Sequence, residues 1–246
     1  MSSLKGKVAL VTGGSRGMGA AIAKRLADEG ADVALTYVGR EAQANQVAEA
    51  IRAKGRRALV VQADNADSKA IAAAVEQTVS ALGRIDILVN NAGIFLAGHT
   101  TEATLADFDQ TVAVNVRAVF FASQAAARHM GEGSRIITLG SNVADRVHSP
   151  GMALYAMSKS ALIGLTKGMA RDLGAKGISV SLISPGATDT DMNPAGGEKA
   201  DFQRGLMAIP RYGSAENIAA LVAFVASEAG RSVNGTQFVV DGGTNA

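Results

Sequence analysis

A glycine-rich turn near the start of the chain constrains the fold more than any other segment. "TGGSRGMG" (12–19) follows the apolar run "KVALVT" (7–12) and opens an amphipathic run. Gly13, Gly17 and Gly19 allow the backbone to turn sharply, approach a pyrophosphate and pack a helix closely on a strand. The N-terminus of that helix offers free N–H groups and a positive dipole to phosphates. The turn therefore predicts a dinucleotide-binding β-α unit, although a glycine cluster alone could be merely structural.

Short apolar runs alternate with helical patterns along the whole chain. Most of the runs are continuous, as expected for strands that are covered on both faces. Regular β-α-β alternation implies parallel strands with right-handed crossovers, and no linker or repeat divides the chain. We therefore predict one α/β domain over 1–246, a Rossmann-type doubly wound fold with a seven-stranded parallel sheet and helices on both faces. The predicted strands are 7–12, 32–37, 57–63, 85–91, 135–141, 178–184 and 237–241.

Three longer segments stand out between the strands. Helical patterns predict long helices over 104–130 and 152–175. Segment 187–211 breaks the alternation and is too long for an ordinary connection. We expect it to act as a functional lid, with a mobile insertion as the alternative, and call it the lid segment.

Composition excludes several classes of function. The chain has no cysteine and only three scattered histidines, so we expect no metal site. The net charge is +2, without a dense cluster of Lys and Arg, so we expect no nucleic-acid partner. No apolar run approaches the ~18 residues that a membrane span needs. The first strand follows almost at once, which leaves no room for a signal peptide, so we expect a cytoplasmic protein.

"YAMSK" places Tyr155 and Lys159 one turn apart on the same face of a helix. A free Tyr has a pKa of about 10 and stays protonated at neutral pH. A nearby ammonium and a cationic cofactor would both favour the phenolate and make the phenol a usable general acid and base. A tyrosine packed over a lysine stem is the alternative. Beside a dinucleotide-binding turn, the catalytic interpretation is favoured.

Several motifs together resemble the short-chain dehydrogenase/reductase family. They are "TGGSRGMG" with its G-x-x-x-G-x-G spacing, "DN" at 64–65, "NNAG" at 90–93, Asn115, Ser141, "YAMSK" and "SPGATDT" at 184–190. They follow the family's order and cover essentially the whole chain. The resemblance implies hydride transfer between a nicotinamide cofactor and a ketone or secondary alcohol.

The resemblance also implies a role for each catalytic residue. Tyr155 would exchange the proton, and Lys159 would lower the Tyr155 pKa and hold the nicotinamide ribose. Ser141 would donate a hydrogen bond to the substrate oxygen, with Asn142 as the alternative at the commoner thirteen-residue spacing from Tyr155. Asn115 would hold a water that relays protons to the lysine.

Charge after the second strand predicts the cofactor. An NAD site normally has an acidic residue at the end of that strand, which would repel a 2′-phosphate. Here the strand ends "TYVGR", and Arg16 and Arg40 could supply cations. We predict NADP(H) in preference to NAD(H); the alternative is that both arginines are simply solvated. The resemblance implies as cofactor-binding residues Gly13, Ser15, Arg16, Gly17, Met18, Gly19, Tyr37, Gly39, Arg40, Asp64, Asn65, Asn91, Ala92, Gly93, Tyr155, Lys159, Pro185, Gly186, Thr188 and Thr190.

The substrate is less constrained. The expected pocket walls are mainly apolar and suit a small ketone or alcohol; they are Ile94, Phe95, Asn142, Val143, His148, Met152, Met192 and Phe202. A 3-oxoacyl-carrier-protein reductase is disfavoured by Glu132, which stands where such enzymes are expected to have Arg. It is not excluded, because this chain has a cation, Lys176, at a second position where such enzymes are expected to have one. "DTDMNPAGG" also resembles family members that bind cyclic-di-GMP, so a nucleotide-binding regulatory module stays open. An epimerase or dehydratase is disfavoured by the length of the chain.

Apolar side chains on the two long helices predict an oligomer. Val119, Phe120, Phe121, Leu162 and Leu165 would not all be covered within one monomer. Helices of this kind pair across subunits in the family, so we expect a homotetramer or a homodimer. The alternative is that they all pack on their own sheet.

Overall fold

The chain forms a seven-stranded parallel sheet, described for residues 4–246 by a computed structural model. The strand order is β3-β2-β1-β4-β5-β6-β7. All seven predicted strands are confirmed, and no strand end differs from the prediction by more than two residues. The strands are β1 (Val8–Val11), β2 (Asp32–Tyr37), β3 (Ala58–Gln62), β4 (Ile87–Asn90), β5 (Arg135–Leu139), β6 (Ser179–Pro185) and β7 (Thr236–Val240).

Helices cover both faces of the sheet, as the continuous apolar strands predicted. Successive strand residues point to opposite faces, so Leu10 and Val11 belong to different core clusters. Both are fully buried, which explains why β1 shows no polar alternation. The helices are α1 (Gly17–Asp28), α2 (Glu41–Arg52), α3 (Ser68–Leu82), α4 (Leu105–Val112), α5 (Ala118–His129), α6 (Ala153–Gly174), α7 (Ala200–Gly205) and α8 (Ala215–Ala226).

The long helix predicted over 104–130 is confirmed as a helical stretch that runs without a break from Leu105 at the start of α4 to His129 at the end of α5. Between α4 and α5 the chain forms a π-helical turn, Ala113–Arg117, which contains Asn115. Such turns widen a helix locally and occur mostly at functional sites. The helix predicted over 152–175 is confirmed as α6.

The apolar faces of these helices are partly covered by the chain itself. Val119 and Leu162 are 3% and 1% exposed and pack on the sheet within the monomer. Phe120 and Phe121 remain 41% and 38% exposed. They border a groove of about 590 Å³ between α5 and α6.

The lid segment lies against the glycine-rich turn. Its backbone forms isolated bridges between Thr188 and Gly213 and between Thr190 and Asn193, and it contains the short helix α7. A Cβ built on Gly17 would lie 3.6 Å from the Thr190 side chain. The first residues of the lid segment therefore lie beside the first β-α unit.

Candidate active site

The glycine-rich turn has the shape that its sequence predicted. Gly13 and Gly17 have φ angles of +64° and +51°, in the left-handed region that favours glycine. A Cβ on Gly19 would lie 2.3 Å from the Gly13 carbonyl oxygen and 2.5 Å from the Asn91 side chain. Position 19 therefore requires glycine so that α1 can pack closely against the strand ends.

The N-terminus of α1 is open to an anion. Arg16 is its N-cap residue but makes no side-chain capping hydrogen bond, and the first turn of the helix carries no acidic residue. The free N–H groups and the positive end of the helix dipole are therefore available to a phosphate. Together with the cradle around Gly19, these features fit a dinucleotide pyrophosphate.

Two threonines that the sequence analysis missed hold this turn in place. Thr36 at the end of β2 accepts a hydrogen bond from the Gly13 N–H through its hydroxyl (3.0 Å). The Thr12 hydroxyl accepts from the N–H groups of Asn91 (3.0 Å) and Ala92 (3.1 Å). Asn91 in turn donates to the Thr12 carbonyl (2.9 Å). The position of each hydroxyl at the end of a strand beside the turn was the available signal.

Lys159 is anchored to the sheet from helix α6. Its side chain is buried, and Nζ donates to the Leu139 carbonyl at the end of β5 (3.0 Å). Nζ lies 5.7 Å from the centre of the Tyr155 ring. A Cβ on Gly93 would lie 3.5 Å from it. Burial lowers the pKa of Lys159 to about 8, so its charge changes near working pH.

Tyr155 forms a hydrogen bond with Ser141 and packs edge-on against Phe95, with ring centres 5.0 Å apart. Burial raises the Tyr155 pKa above its ordinary value, and the Ser141 hydrogen bond opposes that rise. We expected Lys159 to lower this pKa. Without a bound cofactor the pKa is instead raised, because desolvation of the phenolate outweighs the Ser141 hydrogen bond.

Ser141, rather than Asn142, meets the phenol. The Asn142 amide instead donates to Asp241 near the C-terminus (3.4 Å). Of the two residues that the spacing left open, Ser141 therefore has the geometry of a hydrogen-bond donor at the Tyr155 hydroxyl.

Asn115 ties the π-helical turn to the site. Its Oδ1 accepts from the Ile94 N–H (2.9 Å), and its Nδ2 donates to the Ile94 carbonyl (3.0 Å) and the Ser158 hydroxyl (3.0 Å). Ser158 then donates to the Tyr155 carbonyl (2.8 Å). Ser158 was not predicted from the sequence, although a hydroxyl three residues after Tyr155 on the same helix could have indicated it.

The predicted cationic pair lies beside the turn. Arg16 and Arg40 both approach one carboxylate oxygen of Asp191 in the lid segment, at 3.4 Å and 3.8 Å. They are therefore close together, as the prediction of a 2′-phosphate site requires. Both side chains are also partly exposed to solvent.

Most other predicted cofactor residues lie at the carboxyl ends of the strands. Gly39 follows β2, and Asp64 and Asn65 follow β3, where Asp64 accepts from the Ala66 N–H (2.8 Å). Tyr37 is the last residue of β2 and also lies there, but its side chain packs in the hydrophobic core. Ser15 and Met18 lie in or directly after the turn.

The residues after β6 are held tightly. Gly186 packs against Asp241, since a Cβ there would lie 2.5 Å from the Asp241 Cβ. Thr188 is buried and donates to the Gly186 carbonyl (3.1 Å). With Pro185 and Thr190 they form the edge of the cleft beyond the end of β6.

The predicted pocket walls divide into buried and exposed members. Asn142 and Val143 are buried, whereas Phe95, Met192 and Phe202 are exposed. Ile94, His148 and Met152 are partly buried. Burial and the neighbouring Arg146 lower the His148 pKa, which keeps its ring neutral at pH 7.

The site as a whole lies where strand order reverses, between β1 and β4, at the carboxyl edge of the sheet. A family model described as enoyl-(acyl carrier protein) reductase matches residues 13–245. The chain belongs to the short-chain dehydrogenase/reductase family. That family consists of oxidoreductases, and the description of its model does not by itself fix a substrate.

Individual members of the short-chain dehydrogenase/reductase family resemble this chain over nearly its whole length. A crystal structure of a short-chain dehydrogenase from Burkholderia cenocepacia in complex with NADP is 60% identical, with a TM-score of 0.98 over 99% of this chain and 100% of that one. The cyclic-di-GMP-binding biofilm dispersal mediator protein of Escherichia coli is 42% identical over the full length of both chains. Versicolorin reductase 1 of Dothistroma septosporum is 39% identical over 98% of this chain and 96% of its own.

Two further features concern residues 4–246 alone. Within that range no group of three or more acidic or histidine side chains could hold a metal ion. None of the helices described there combines the length and apolarity that crossing a bilayer requires.

Proposed function

We propose that this protein is an NADPH-dependent carbonyl reductase that also oxidises secondary alcohols. The observation that carries the proposal is the contact of Tyr155 with Ser141, with the Lys159 ammonium 5.7 Å from the Tyr155 ring, at the carboxyl edge of the sheet. The proposal is supported because these side chains could serve as proton donor, hydrogen-bond donor and cation beside a turn shaped for a dinucleotide.

The residues around the turn fit NADP(H). The N-terminus of α1 would hold the pyrophosphate, Arg16 and Arg40 the 2′-phosphate, and Lys159 the nicotinamide ribose. The NADP complex of the Burkholderia cenocepacia relative supports the same choice. When bound, the nicotinamide supplies or accepts the hydride, which is the cofactor's own chemistry.

The chain's own residues handle the proton. During reduction, the Tyr155 hydroxyl gives its proton to the substrate oxygen while Ser141 donates a hydrogen bond to the same oxygen. The O–H bond of the phenol breaks, a new O–H bond forms on the alcohol, and the negative charge remains on the phenolate. The nearby Lys159 ammonium stabilises that charge, and Asn115 orients the Ser158 hydroxyl behind Tyr155.

The surroundings favour a free small-molecule ketone over an acyl group on a carrier protein. Phe95 packs against the Tyr155 ring and is exposed, and Met192 and Phe202 of the lid segment offer further exposed apolar surface. Glu132 and Lys176 precede β5 and β6, so both lie at the amino edge of the sheet, away from Tyr155. The similarity to versicolorin reductase 1 also supports a reductase.

A nucleotide-sequestering module is the second candidate. It rests on the 42% identity to the cyclic-di-GMP-binding protein of Escherichia coli. Such a module would bind nucleotides without consuming NADPH, so turnover separates the two functions.

The decisive experiment measures NADPH and NADH oxidation with a panel of ketones and β-ketoesters. We expect turnover with NADPH that falls by about 10²–10⁴-fold in Tyr155→Phe, the usual contribution of a general acid. Tyr212→Phe is the matched control, because its hydroxyl bonds to Gln203 within the lid segment (2.7 Å) and should leave most of the turnover intact. NADPH binding without turnover on any carbonyl, together with binding of cyclic-di-GMP, would favour the second candidate.

A further inference from the structure

Two cations from separate parts of the fold converge on one carboxylate of the lid segment. Arg16 precedes α1 and Arg40 precedes α2, and both approach Oδ2 of Asp191, at 3.4 Å and 3.8 Å. Arg16 and Asp191 are 175 residues apart in the chain. The contact therefore joins the cofactor-binding end of the fold to the segment that covers it.

A tight turn presents the Asp191 carboxylate to the arginines. The Asn193 N–H donates to the Thr190 carbonyl (3.0 Å) and lies 3.3 Å from the Thr190 hydroxyl. Thr190 lies next to the glycine-rich turn, since a Cβ built on Gly17 would be 3.6 Å from its side chain. Asp191 is thus held beside the place where a dinucleotide phosphate would enter.

The three charged side chains are 41%, 50% and 58% exposed, so an incoming anion can reach them. A phosphate monoester carries a charge of about −1.5 to −2 at neutral pH, against −1 for the carboxylate. Two anions on the same pair of arginines would repel each other. A 2′-phosphate and Asp191 are therefore competitors for Arg16 and Arg40.

We propose that Asp191 is a specificity-determining residue that takes the place of the cofactor's 2′-phosphate in the free enzyme. Binding of NADP(H) displaces its carboxylate and releases this anchor of the lid segment. NAD(H), which has no 2′-phosphate, leaves the anchor in place. The inference rests on the proposed function, because it requires Arg16 and Arg40 to bind the 2′-phosphate.

The first test measures binding of two fragments to the full chain by calorimetry at low ionic strength. Adenosine 2′,5′-bisphosphate carries the 2′-phosphate, and 5′-AMP lacks it, while neither reaches the nicotinamide end. The substitution Asp191→Asn removes two exposed ion pairs, each of them weak, and should tighten binding of the bisphosphate by about two- to thirtyfold. Binding of 5′-AMP should not change.

Asp201→Asn is the matched control. It removes the same charge from the same lid segment, but Asp201 pairs with Arg204 and not with Arg16 or Arg40. This variant should bind both fragments as the wild type does.

Hydrogen exchange provides a readout that does not depend on affinity. In the wild type, the bisphosphate should speed exchange of the backbone amides in 191–197, and 5′-AMP should not. In Asp191→Asn these amides should exchange faster from the outset, with little further effect of the bisphosphate.

Three results would overturn the inference. Binding of the bisphosphate that is unchanged in Asp191→Asn would mean that the carboxylate does not compete, and weaker binding would mean that it aligns the arginines instead. If the wild type binds the bisphosphate no better than 5′-AMP, and Arg16→Gln and Arg40→Gln change neither, then the 2′-phosphate site itself fails. The wild type could instead prefer the bisphosphate over 5′-AMP, with that preference weakened by Arg16→Gln and Arg40→Gln but unchanged by Asp191→Asn. In that case only the role of Asp191 would be overturned.

Discussion

The ammonium of Lys159 lies 5.7 Å from the centre of the Tyr155 ring, yet its hydrogen bond goes to the Leu139 carbonyl at the end of β5. The lysine is thus fixed by the sheet, while the tyrosine is fixed by its own helix and by Ser141. Burial disfavours charge on both groups, since it raises the Tyr155 pKa and lowers that of Lys159. The free protein therefore holds a protonated phenol next to an amine that titrates near working pH.

The low pKa of Lys159 predicts a pH limit for the reductase. The charged form exists below the pKa of about 8, so kcat/KM for NADPH-dependent reduction should fall as pH rises above that value. The measurement is a pH profile of kcat/KM on one ketone. In Lys159→Arg the decline should move to higher pH, because guanidinium stays protonated. A profile that is flat from pH 7 to well above 9 would contradict the assignment.

Asn115 should affect both stability and turnover. Asn115→Ala leaves the Ile94 N–H and carbonyl without their side-chain partners and should cost about 1–3 kcal/mol of stability. It should also lower kcat, because Ser158 loses its donor behind Tyr155. Chemical denaturation and steady-state kinetics measure the two effects.

Asn234→Ala is the matched control for Asn115. Asn234 likewise bonds to backbone, at Val180 (2.9 Å) and Ala170 (3.4 Å), near the start of β6 and away from the site. The Asn234→Ala variant should lose stability but keep the kcat of the wild type. Equal losses of kcat in both variants would show that Asn115 has only a structural role.

The close packing around Gly19 predicts that adding one methyl group at this position weakens both the fold and cofactor binding. In Gly19→Ala the new Cβ would lie 2.3 Å from the Gly13 carbonyl oxygen, so α1 must move away from the turn. We expect a loss of about 1–3 kcal/mol in stability and more than tenfold weaker NADPH binding by fluorescence titration. Gly131→Ala, where the added Cβ meets nothing within 4 Å, should bind NADPH normally. Unimpaired binding by Gly19→Ala would argue against a dinucleotide at this turn.

The exposed Phe120 and Phe121 predict self-association through the groove between α5 and α6. Light scattering at micromolar concentration should give about four times the chain mass of 25.0 kDa, or twice that mass for a homodimer. Phe121→Glu should lower the mass, because burying an unpaired carboxylate is costly. Phe202→Glu, on an exposed residue of the lid segment, should leave it unchanged. A monomeric wild type would refute the oligomer.

Local pattern was sufficient for most of the fold because each element carries its own signal. The β1 run is apolar at every position since both faces of the sheet are covered, and the following glycines adopt φ angles that favour glycine. The π-helical turn that contains Asn115 could not be predicted in this way. Residues 104–130 have a helical pattern throughout, and the π-helical turn accompanies contacts of Asn115 with Ile94 and Ser158, which are distant in sequence.

The sequence by itself determined the parallel sheet, the dinucleotide turn and the Tyr155–Lys159 spacing, because periodicity, glycine content and helical geometry act over a few residues. Only the tertiary structure decided that Ser141 meets the phenol while Asn142 turns to Asp241. It alone decided that burial raises the Tyr155 pKa, and that Asp191 faces Arg16 and Arg40. These outcomes depend on desolvation and on contacts between segments far apart in the chain, which arise only when the whole sheet and its helices have packed.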